Sequence, residues 1–147
     1  SNRSMVCGGK QITSFVCWIP GKPTPQGSKK SFVINGRAIL VDASGGNKAW
    51  RKLVTETIRA HKDYIMLPGA VNVSLAFYME KAKTNKKPLM TQAPDVDKLA
   101  RSVLDGITDS DIIEDDSRVI YLTASKKWAE PGQGGVLISI WQELPNA

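Results

Sequence analysis

The feature that most constrains the fold is a helical pattern at residues 98–107, which lies between two stretches typical of strands. At about 100° per residue, the apolar side chains of this segment share one arc of roughly 200–340° measured from Asp97: Leu99, Ala100, Val103, Leu104 and Ile107. The polar side chains share the arc of roughly 40–140°: Lys98, Arg101, Ser102 and Asp105. The pattern predicts a helix that packs on one face and exposes a charged face beginning at Asp97.

Strand patterns surround this helix. Residues 70–80 alternate, which favours a strand that buries Val71, Val73, Leu75 and Phe77 on one face. Apolar, strand-like runs also occupy residues 14–19, 118–129 and 135–144. Residues 31–42 are typical of a hairpin, because two apolar runs flank the turn-forming pair Asn35-Gly36.

A second helix is predicted after “ASGGNK”, residues 43–48, since apolar positions recur there at helical spacing: Trp50, Leu53, Val54, Thr57 and Ile58. Its opposite side is expected to form a cationic stripe: Arg51, Thr55, Arg59 and Lys62. The chain therefore predicts a single α+β domain with two main helices and five or six strands in all, which form a mixed or antiparallel sheet. We expect residues 1–13 to form an N-terminal tail and residues 14–147 to form the domain.

Length and cysteine content fit one reduced globular domain. A chain of 147 residues can bury a core without disulfide or metal staples. Cys7 and Cys17 lack the spacing of a metal-binding pair, which favours a reducing, cytoplasmic setting. The single histidine, His61, argues against a His-rich zinc site and a Ser-His-Asp nucleophile. No apolar run approaches the roughly 20 residues that cross a bilayer, so no membrane partner is expected.

Charge is distributed unevenly along the chain. The net charge is +6, yet residues 93–116 hold 8 Asp/Glu and 2 Lys/Arg, whereas residues 1–64 hold 3 Asp/Glu and 11 Lys/Arg. Basic surface attracts polyanions, most often nucleic acid. An acidic segment facing the same polyanion would repel it unless a divalent cation lay between them.

Two carboxylates stand two residues apart at the start of the helix predicted over 98–107. Pro94 disfavours helix at Ala93, so Asp95 and Asp97 are expected to project the same way from an extended segment. Asp97 is also well placed to be the N-cap. Two like charges this close repel each other, and a hard cation such as Mg²⁺ removes that conflict.

A third carboxylate is expected from the segment “EDDSRVIYL”. Loop 108–115 can span about 26 Å, and the helix is about 15 Å long, so the loop is long enough to bring Asp116 beside Asp95 and Asp97. Arg101 lies one turn after Asp97 on the same face. Its guanidinium could neutralise a carboxylate or bind a phosphate oxygen.

Ordinary structural roles remain alternatives for these acids. Aspartate is common at helix N-caps, and acidic loops are usually just solvated. An EF-hand is excluded, because no Asp-x-Asp run has Gly at the sixth position and Glu at the twelfth. A phosphate-binding loop of the GxxxxGK[ST] kind is also absent from the sequence.

In these segments the chain resembles the RusA-type Holliday junction resolvases, a family often encoded by phages and prophages. The family carries Asp-x-Asp-Asn-Leu-x-Lys, then Leu-Asp-Ala/Gly-Leu/Ile, then an Asp-Asp pair with Val shortly after. This chain has “PDVDKLARSVLDGI” and “EDDSRVI” in that order. Three earlier stretches are also similar to the family: “VCWIPGKPTPQGS”, “NKAWRKLV” and “AVNVSLAFYME”. The resemblance covers about residues 14–143.

The resemblance implies which residues act at the site. The family's metal-binding catalytic aspartates fall on Asp95, Asp97 and Asp116, and its active-site lysine falls on Arg101. Lys98 stands where the family usually has Asn. Arginine keeps the charge of lysine but has a planar, more weakly hydrated head, so the two departures bear on rate and substrate preference.

The resemblance also implies an endodeoxyribonuclease that nicks four-way DNA junctions symmetrically during recombination and repair, acting as a homodimer with Mg²⁺ or Mn²⁺. Two alternatives stay open, a catalytically impaired junction-binding protein and a broader branch or flap nuclease. Candidates for contacts with the DNA backbone are basic side chains spread along the chain: Lys29, Lys30, Arg51, Lys52, Arg59, Lys83, Lys86, Lys87 and Lys98.

Overall fold

The computed structural model describes residues 2–7, 10–27, 29–42 and 46–145, with the backbone alone described for residues 2–7, 10, 11, 29–32, 34 and 39–42. Within these ranges the chain forms seven strands and two helices. The strands are β1 (Asn2–Cys7), β2 (Lys10–Pro20), β3 (Lys29–Ile34), β4 (Arg37–Asp42), β5 (Val71–Glu80), β6 (Val119–Ala129) and β7 (Gly135–Gln142). The helices are α1 (Asn47–Ala60) and α2 (Val96–Asp109).

Five strands form one mixed sheet in the order β1, β2, β7, β5, β6, and β3 pairs with β4 in a separate hairpin. β5 and β6 are parallel, whereas the other neighbours in the sheet are antiparallel. Asn35 and Gly36 have positive φ angles of 51° and 76°, as a tight hairpin turn requires. The predicted α+β class, mixed sheet, hairpin and two main helices are confirmed.

The N-terminal region departs from the expected tail. β1 pairs antiparallel with β2 from Asn2 to Cys7, and β2 begins at Lys10, so the predicted boundary between residues 13 and 14 falls inside a strand. β1 is an edge strand held by backbone hydrogen bonds. Such a strand needs no apolar alternation, and its sequence therefore carries no clear strand pattern.

One face of the sheet and one face of each helix form the core. Alternate residues of β5 are buried, from Val71 to Met79. They share one core cluster with Val54 of α1 and Val103 of α2. Cys17 of β2 belongs to the same cluster, and burial raises the pKa of its thiol to about 11. Among the described residues, no helix has the length and apolar character to span a membrane.

α1 and α2 approach each other closely at Gly106. A Cβ atom on this residue would lie 2.7 Å from Val54 Cγ1 and 3.1 Å from the Arg51 carbonyl oxygen, so only glycine fits without repacking. The Thr55 hydroxyl donates to the Gly106 carbonyl oxygen at 2.9 Å. The cationic stripe predicted along this side of α1 is interrupted, because Thr55 is buried and Arg51 and Arg59 contact α2. Lys62 is exposed but lies beyond the end of the helix.

The path of the chain around α2 decides where the functional residues lie. α2 connects two parallel strands, so it must run antiparallel to both. Its first residues consequently lie near the end of β6, where Lys126 contacts the Pro94 carbonyl. The chain after α2 returns beside the start of β5, where Leu67 bridges Ile113 and the Gly69 amide donates to Glu114. The two ends are separated by a helix about 21 Å long.

Candidate active site

α2 begins two residues earlier than the acidic pattern predicted. Its N-cap is Asp95, with φ −68° and ψ 140°, and Asp97 lies in the first helical turn. The Leu99 amide donates to the Asp95 carbonyl oxygen at 3.1 Å, which closes that turn. The prediction that Asp97 is the N-cap is wrong, and so is the extended segment in which both carboxylates point the same way. Asp95 is the last residue with extended backbone, and Asp97 already lies in the helix.

Asp95 and Asp97 each form one long ion pair with a neighbouring cation. Lys98 Nζ lies 3.8 Å from Asp95 Oδ2, and an Arg101 terminal nitrogen lies 3.8 Å from Asp97 Oδ2. Both aspartate side chains are 63% exposed. Ion pairs this long and this exposed contribute little, so both carboxylates can exchange these partners for a ligand at low cost.

Asp116 opens a short 3-10 turn, Asp116–Arg118, just before β6. The preceding Asp115 is the N-cap of this turn and accepts a hydrogen bond from the Ser117 amide at 3.0 Å. The hydrogen bonds from Ser117 lower the pKa of Asp115. Asp116 itself is exposed and stands at the edge of the sheet.

The predicted convergence of Asp95, Asp97 and Asp116 within one chain is wrong. Asp116 precedes Val119, and Asp95 follows Pro94, which Lys126 contacts. Val119 and Lys126 are seven residues apart on β6, or about 23 Å at 3.3 Å per residue. Among the described residues no group of three or more His, Cys, Asp and Glu side chains could hold a metal ion. A single chain in this arrangement does not supply the proposed set of three ligands.

The loop-length estimate failed for a topological reason. A loop of the length of 108–115 can reach back along α2, but the parallel pairing of β5 and β6 requires β6 to begin where β5 begins. That requirement leaves Asp116 at the far end of α2 from Asp95.

The acids in the second half of α2 have structural partners on α1. Arg51 contacts Asp109 through two hydrogen bonds, Nε to Oδ2 at 2.6 Å and a terminal nitrogen to Oδ1 at 3.0 Å, and it also lies 3.6 Å from Asp105. These bonds lower the pKa of Asp109 and raise the pKa of Arg51. Arg59 donates to the Asp109 carbonyl oxygen at 2.6 Å, at the carboxyl end of α2.

These contacts change the interpretation of the acidic stretch. Its second half is balanced by α1, so the guanidinium groups of Arg51 and Arg59, both candidates for contacts with DNA, are engaged within the fold. The first half, at Asp95 and Asp97, has only the weak exposed pairs already described.

The other candidate DNA contacts lie in three places. Lys83, Lys86 and Lys87 are exposed in the loop between β5 and α2, and Lys52 is exposed on α1, 3.8 Å from Glu56. Lys98 borders Asp95. The side chains of Lys29 and Lys30, in β3, lie outside the described residues. Contact between these lysines and DNA stays a prediction.

A groove of about 700 Å³ opens beside Asp95. Its walls are mainly apolar, with Pro23, Pro25, Met79 and Pro94 among the lining residues, and Asp95 and Lys98 also line it. The backbone amide of Gln26 donates to the Lys98 carbonyl oxygen at 3.0 Å, which connects the groove wall to the first turn of α2. The groove gives an extended ligand access to this end of the helix.

Sequence reasoning missed Lys126. It occupies a position on β6 opposite buried Phe77, and its ammonium donates to the carbonyl oxygens of Gln92 at 2.6 Å and Pro94 at 2.9 Å. The alternation of β6 could have revealed this position, because residues two apart on a strand share a face. Lys126 lies two residues from both Ala124 and Trp128, which face the core.

The chain matches a known protein-family model. The family model described as endodeoxyribonuclease RusA matches residues 20–140, which is well over half of the chain. The matched range includes both aspartate-bearing segments and all of α1, α2, β5 and β6. No curated protein sequence matches the chain significantly.

Proposed function

The chain belongs to the endodeoxyribonuclease RusA family, and from that premise we propose that it is a metal-dependent, homodimeric endonuclease that nicks both opposing strands of a four-way DNA junction. The observation that carries this proposal is the family match, which spans the two segments bearing Asp95, Asp97 and Asp116. The net charge of +6 agrees with a polyanionic substrate.

We propose that Asp95, Asp97 and Asp116 hold Mg²⁺, with Mn²⁺ as a substitute. Mg²⁺ prefers a few carboxylate oxygens and retains several waters, and exposed aspartates can supply such a set. When bound, the ion would lower the pKa of a water and polarise the phosphodiester. Because Asp116 lies about 20 Å or more from Asp95 in one chain, the ligand set requires a second copy of the protein.

β6 offers an interface for that second copy. It is an edge strand of 11 residues, and three successive apolar side chains near its start are exposed: Ile120 (61%), Tyr121 (53%) and Leu122 (43%). A long edge strand with exposed apolar residues is a template for pairing with another chain. A two-fold dimer brings identical strands together antiparallel, so we propose pairing between the two copies of β6.

The register of this pairing follows from the apolar residues. If the two-fold axis passes at Tyr121, each residue pairs with the one equally far on the other side of residue 121. In this register the paired strand residues are 119–123, and we propose that the 3-10 turn carrying the partner subunit's Asp116 continues toward Lys126, whose ammonium contacts the Pro94 carbonyl. Two sites would form, each with Asp95 and Asp97 from one subunit and Asp116 from the other. A four-way junction cut in two opposing strands requires two equivalent sites.

The remaining roles belong to cations near the site. Arg101 lies one turn after Asp97 and is 65% exposed, so it can leave its weak pair and stabilise charge developing on the scissile phosphate. Lys98 and the lysines of the loop between β5 and α2 are proposed to contact backbone phosphates, which position DNA without specifying its sequence.

The test is cleavage of a labelled synthetic four-way junction, with a linear duplex and a flap of the same arms as comparison substrates. We expect paired nicks in Mg²⁺ or Mn²⁺, no cleavage in EDTA and no cleavage of the duplex. We also expect binding to weaken steeply between low and physiological salt, because phosphate contacts release counterions.

Two outcomes would contradict the proposal and support a different function. A retarded junction complex that is never cut with any divalent metal would identify a binding protein, and equal cleavage of the flap would identify a broader branch nuclease.

A further inference from the structure

Lys126 stands in an unusual place for a lysine. It pairs in register with Phe77 of β5, whose side chain is fully buried, so it projects to the side of the sheet that packs against the helices. Its neighbours on that side of β6, Ala124 and Trp128, pack against the core cluster. A lysine at such a position loses solvation and needs partners for its ammonium group.

Those partners are the backbone of the segment that leads to the acidic site. The ammonium donates to the carbonyl oxygen of Gln92 at 2.6 Å and to that of Pro94 at 2.9 Å. Both are short, charge-assisted bonds, which are stronger than neutral ones. Pro94 is bonded directly to Asp95, so one of the two bonds fixes the peptide next to the N-cap of α2.

Few other contacts hold this segment. Its described hydrogen bonds are local, from the Thr91 amide to the Leu89 carbonyl and from the Asn85 side chain to the Gln92 side chain. Met90 supplies a buried apolar contact. Lys126 therefore provides the polar connection between the residues just before Asp95 and the rigid sheet.

We propose that Lys126 is a positioning residue, which anchors residues 92–94 to β6 and thereby fixes the orientation of Asp95 and Asp97. The structural part of this proposal stands by itself, whereas its effect on cleavage rests on the proposed nuclease function. Without the ammonium, the exposed Gln92 carbonyl and the partly buried Pro94 carbonyl lose their donor, and the backbone on the N-terminal side of Asp95 gains freedom. Carboxylates that must converge on one ligand then spend less time in the required geometry.

The test compares Lys126→Met, which keeps the aliphatic stem, with Lys126→Arg, which keeps a charged donor. The matched control is Lys127→Met, since Lys127 is the next residue on β6 and lies over the ring of Tyr78 instead. The first readout is hydrogen–deuterium exchange in EDTA, which needs neither metal nor activity. We expect Lys126→Met to speed exchange in peptides covering residues 91–99, and Lys126→Arg and Lys127→Met to leave it near the parent rate.

The second readout is single-turnover cleavage of the four-way junction in saturating Mg²⁺. Loss of an outer partner that orients metal-binding groups typically costs about 10- to 100-fold, and we expect a decrease of that size for Lys126→Met. Junction affinity in EDTA should stay within about twofold of the parent, because the anchor orients carboxylates and contributes no phosphate contact. Lys126→Arg should restore most of the rate.

Unchanged exchange and unchanged cleavage in Lys126→Met would overturn the inference. If Lys126→Met does not fold, the same measurements are made on Lys126→Gln, whose side-chain amide can still donate to one carbonyl. For Lys126→Gln we expect faster hydrogen–deuterium exchange at residues 91–99. We expect its cleavage rate to lie between that of Lys126→Arg and that of an uncatalysed control. Exchange and cleavage like those of the parent would refute the anchor. Failure of the parent protein to cleave any junction would refute the nuclease proposal and leave the exchange result to judge the anchor.

Discussion

Replacement of Asp97 by asparagine is expected to abolish junction cleavage while leaving junction binding in EDTA intact. Asparagine has nearly the same shape but carries no negative charge, so the site loses one anionic oxygen of its proposed metal-binding set. We expect the rate in Mg²⁺ to fall on the order of a thousandfold or more, which corresponds to about 4 kcal/mol of transition-state stabilisation. The measurement is single-turnover nicking of a labelled four-way junction.

Misfolding is an unsuitable explanation for such a loss. Asp97 is exposed and its only described ion pair, with Arg101, is 3.8 Å long, so its removal costs well under about 1 kcal/mol of folding free energy. Asp111→Asn is the matched control, because Asp111 is also exposed, pairs weakly with Arg59 at 3.4 Å and lies beyond the other end of α2. The control should cleave like the parent. Parent-like nicking by Asp97→Asn would remove Asp97 from the site.

The second large effect is expected from Tyr121→Asp. In the proposed dimer the two copies of this residue face each other across the two-fold axis, where two like charges directly opposite on paired strands are destabilising. The variant should therefore be monomeric at concentrations where the parent is dimeric. Because each proposed site takes Asp116 from the partner subunit, cleavage should fall by about a hundredfold or more, roughly 3 kcal/mol. Sedimentation and nicking assays measure the two effects.

Val33→Asp is the control for this variant. Val33 is the most exposed large apolar residue among those described, at 77%, but it lies in the β3–β4 hairpin away from β6. Val33→Asp should remain dimeric and active, and both variants should keep the parent's far-ultraviolet circular dichroism. A Tyr121→Asp protein that is still dimeric, or that is monomeric and fully active, would contradict the proposed interface.

Periodicity predicted the fold well because burial imposes it directly on the sequence. The alternation of residues 70–80 and most of the apolar arcs of both helices correspond to the buried faces of β5, α1 and α2. Two residues depart from the pattern: Leu53 is 39% exposed, and Ser102, predicted on the charged face, is buried. The Asn35-Gly36 turn was predicted because two positive φ angles demand those residue types. The N-cap was placed two residues late, since Asp95 and Asp97 are equally suitable as caps and only the folded backbone, extended at Asp95 and helical from Val96, distinguishes them.

The arrangement of the site was less predictable because it depends on how the elements pair. Parallel pairing of β5 and β6 separates Asp116 from Asp95, and sequence spacing alone does not reveal whether two strands are parallel. Likewise, Arg51 and Arg59 looked like a free cationic stripe until α2 supplied Asp105 and Asp109 as neighbours. The roles of Asp95, Asp97, Arg101 and Asp116 in catalysis stay predictions based on the family resemblance.

The acidic stretch that stands out in a basic chain therefore has two different explanations. Its carboxyl-terminal half neutralises arginines of α1 and joins the two helices. Its amino-terminal half remains exposed beside a groove, and its electrostatic cost is explained if a cation and the DNA backbone meet there. This division agrees with the chain's membership of a DNA endonuclease family.

The most direct test of the account mixes two inactive variants, Asp97→Asn and Asp116→Asn. If sites are shared between subunits, a mixed dimer has one site that carries both substitutions and one site that carries neither. After subunit exchange, half of the dimers should be mixed, so about a quarter of all sites should regain activity, and mixed dimers should nick one strand only. If every site is built within one chain, no mixture restores cleavage, and that result would contradict the shared metal site.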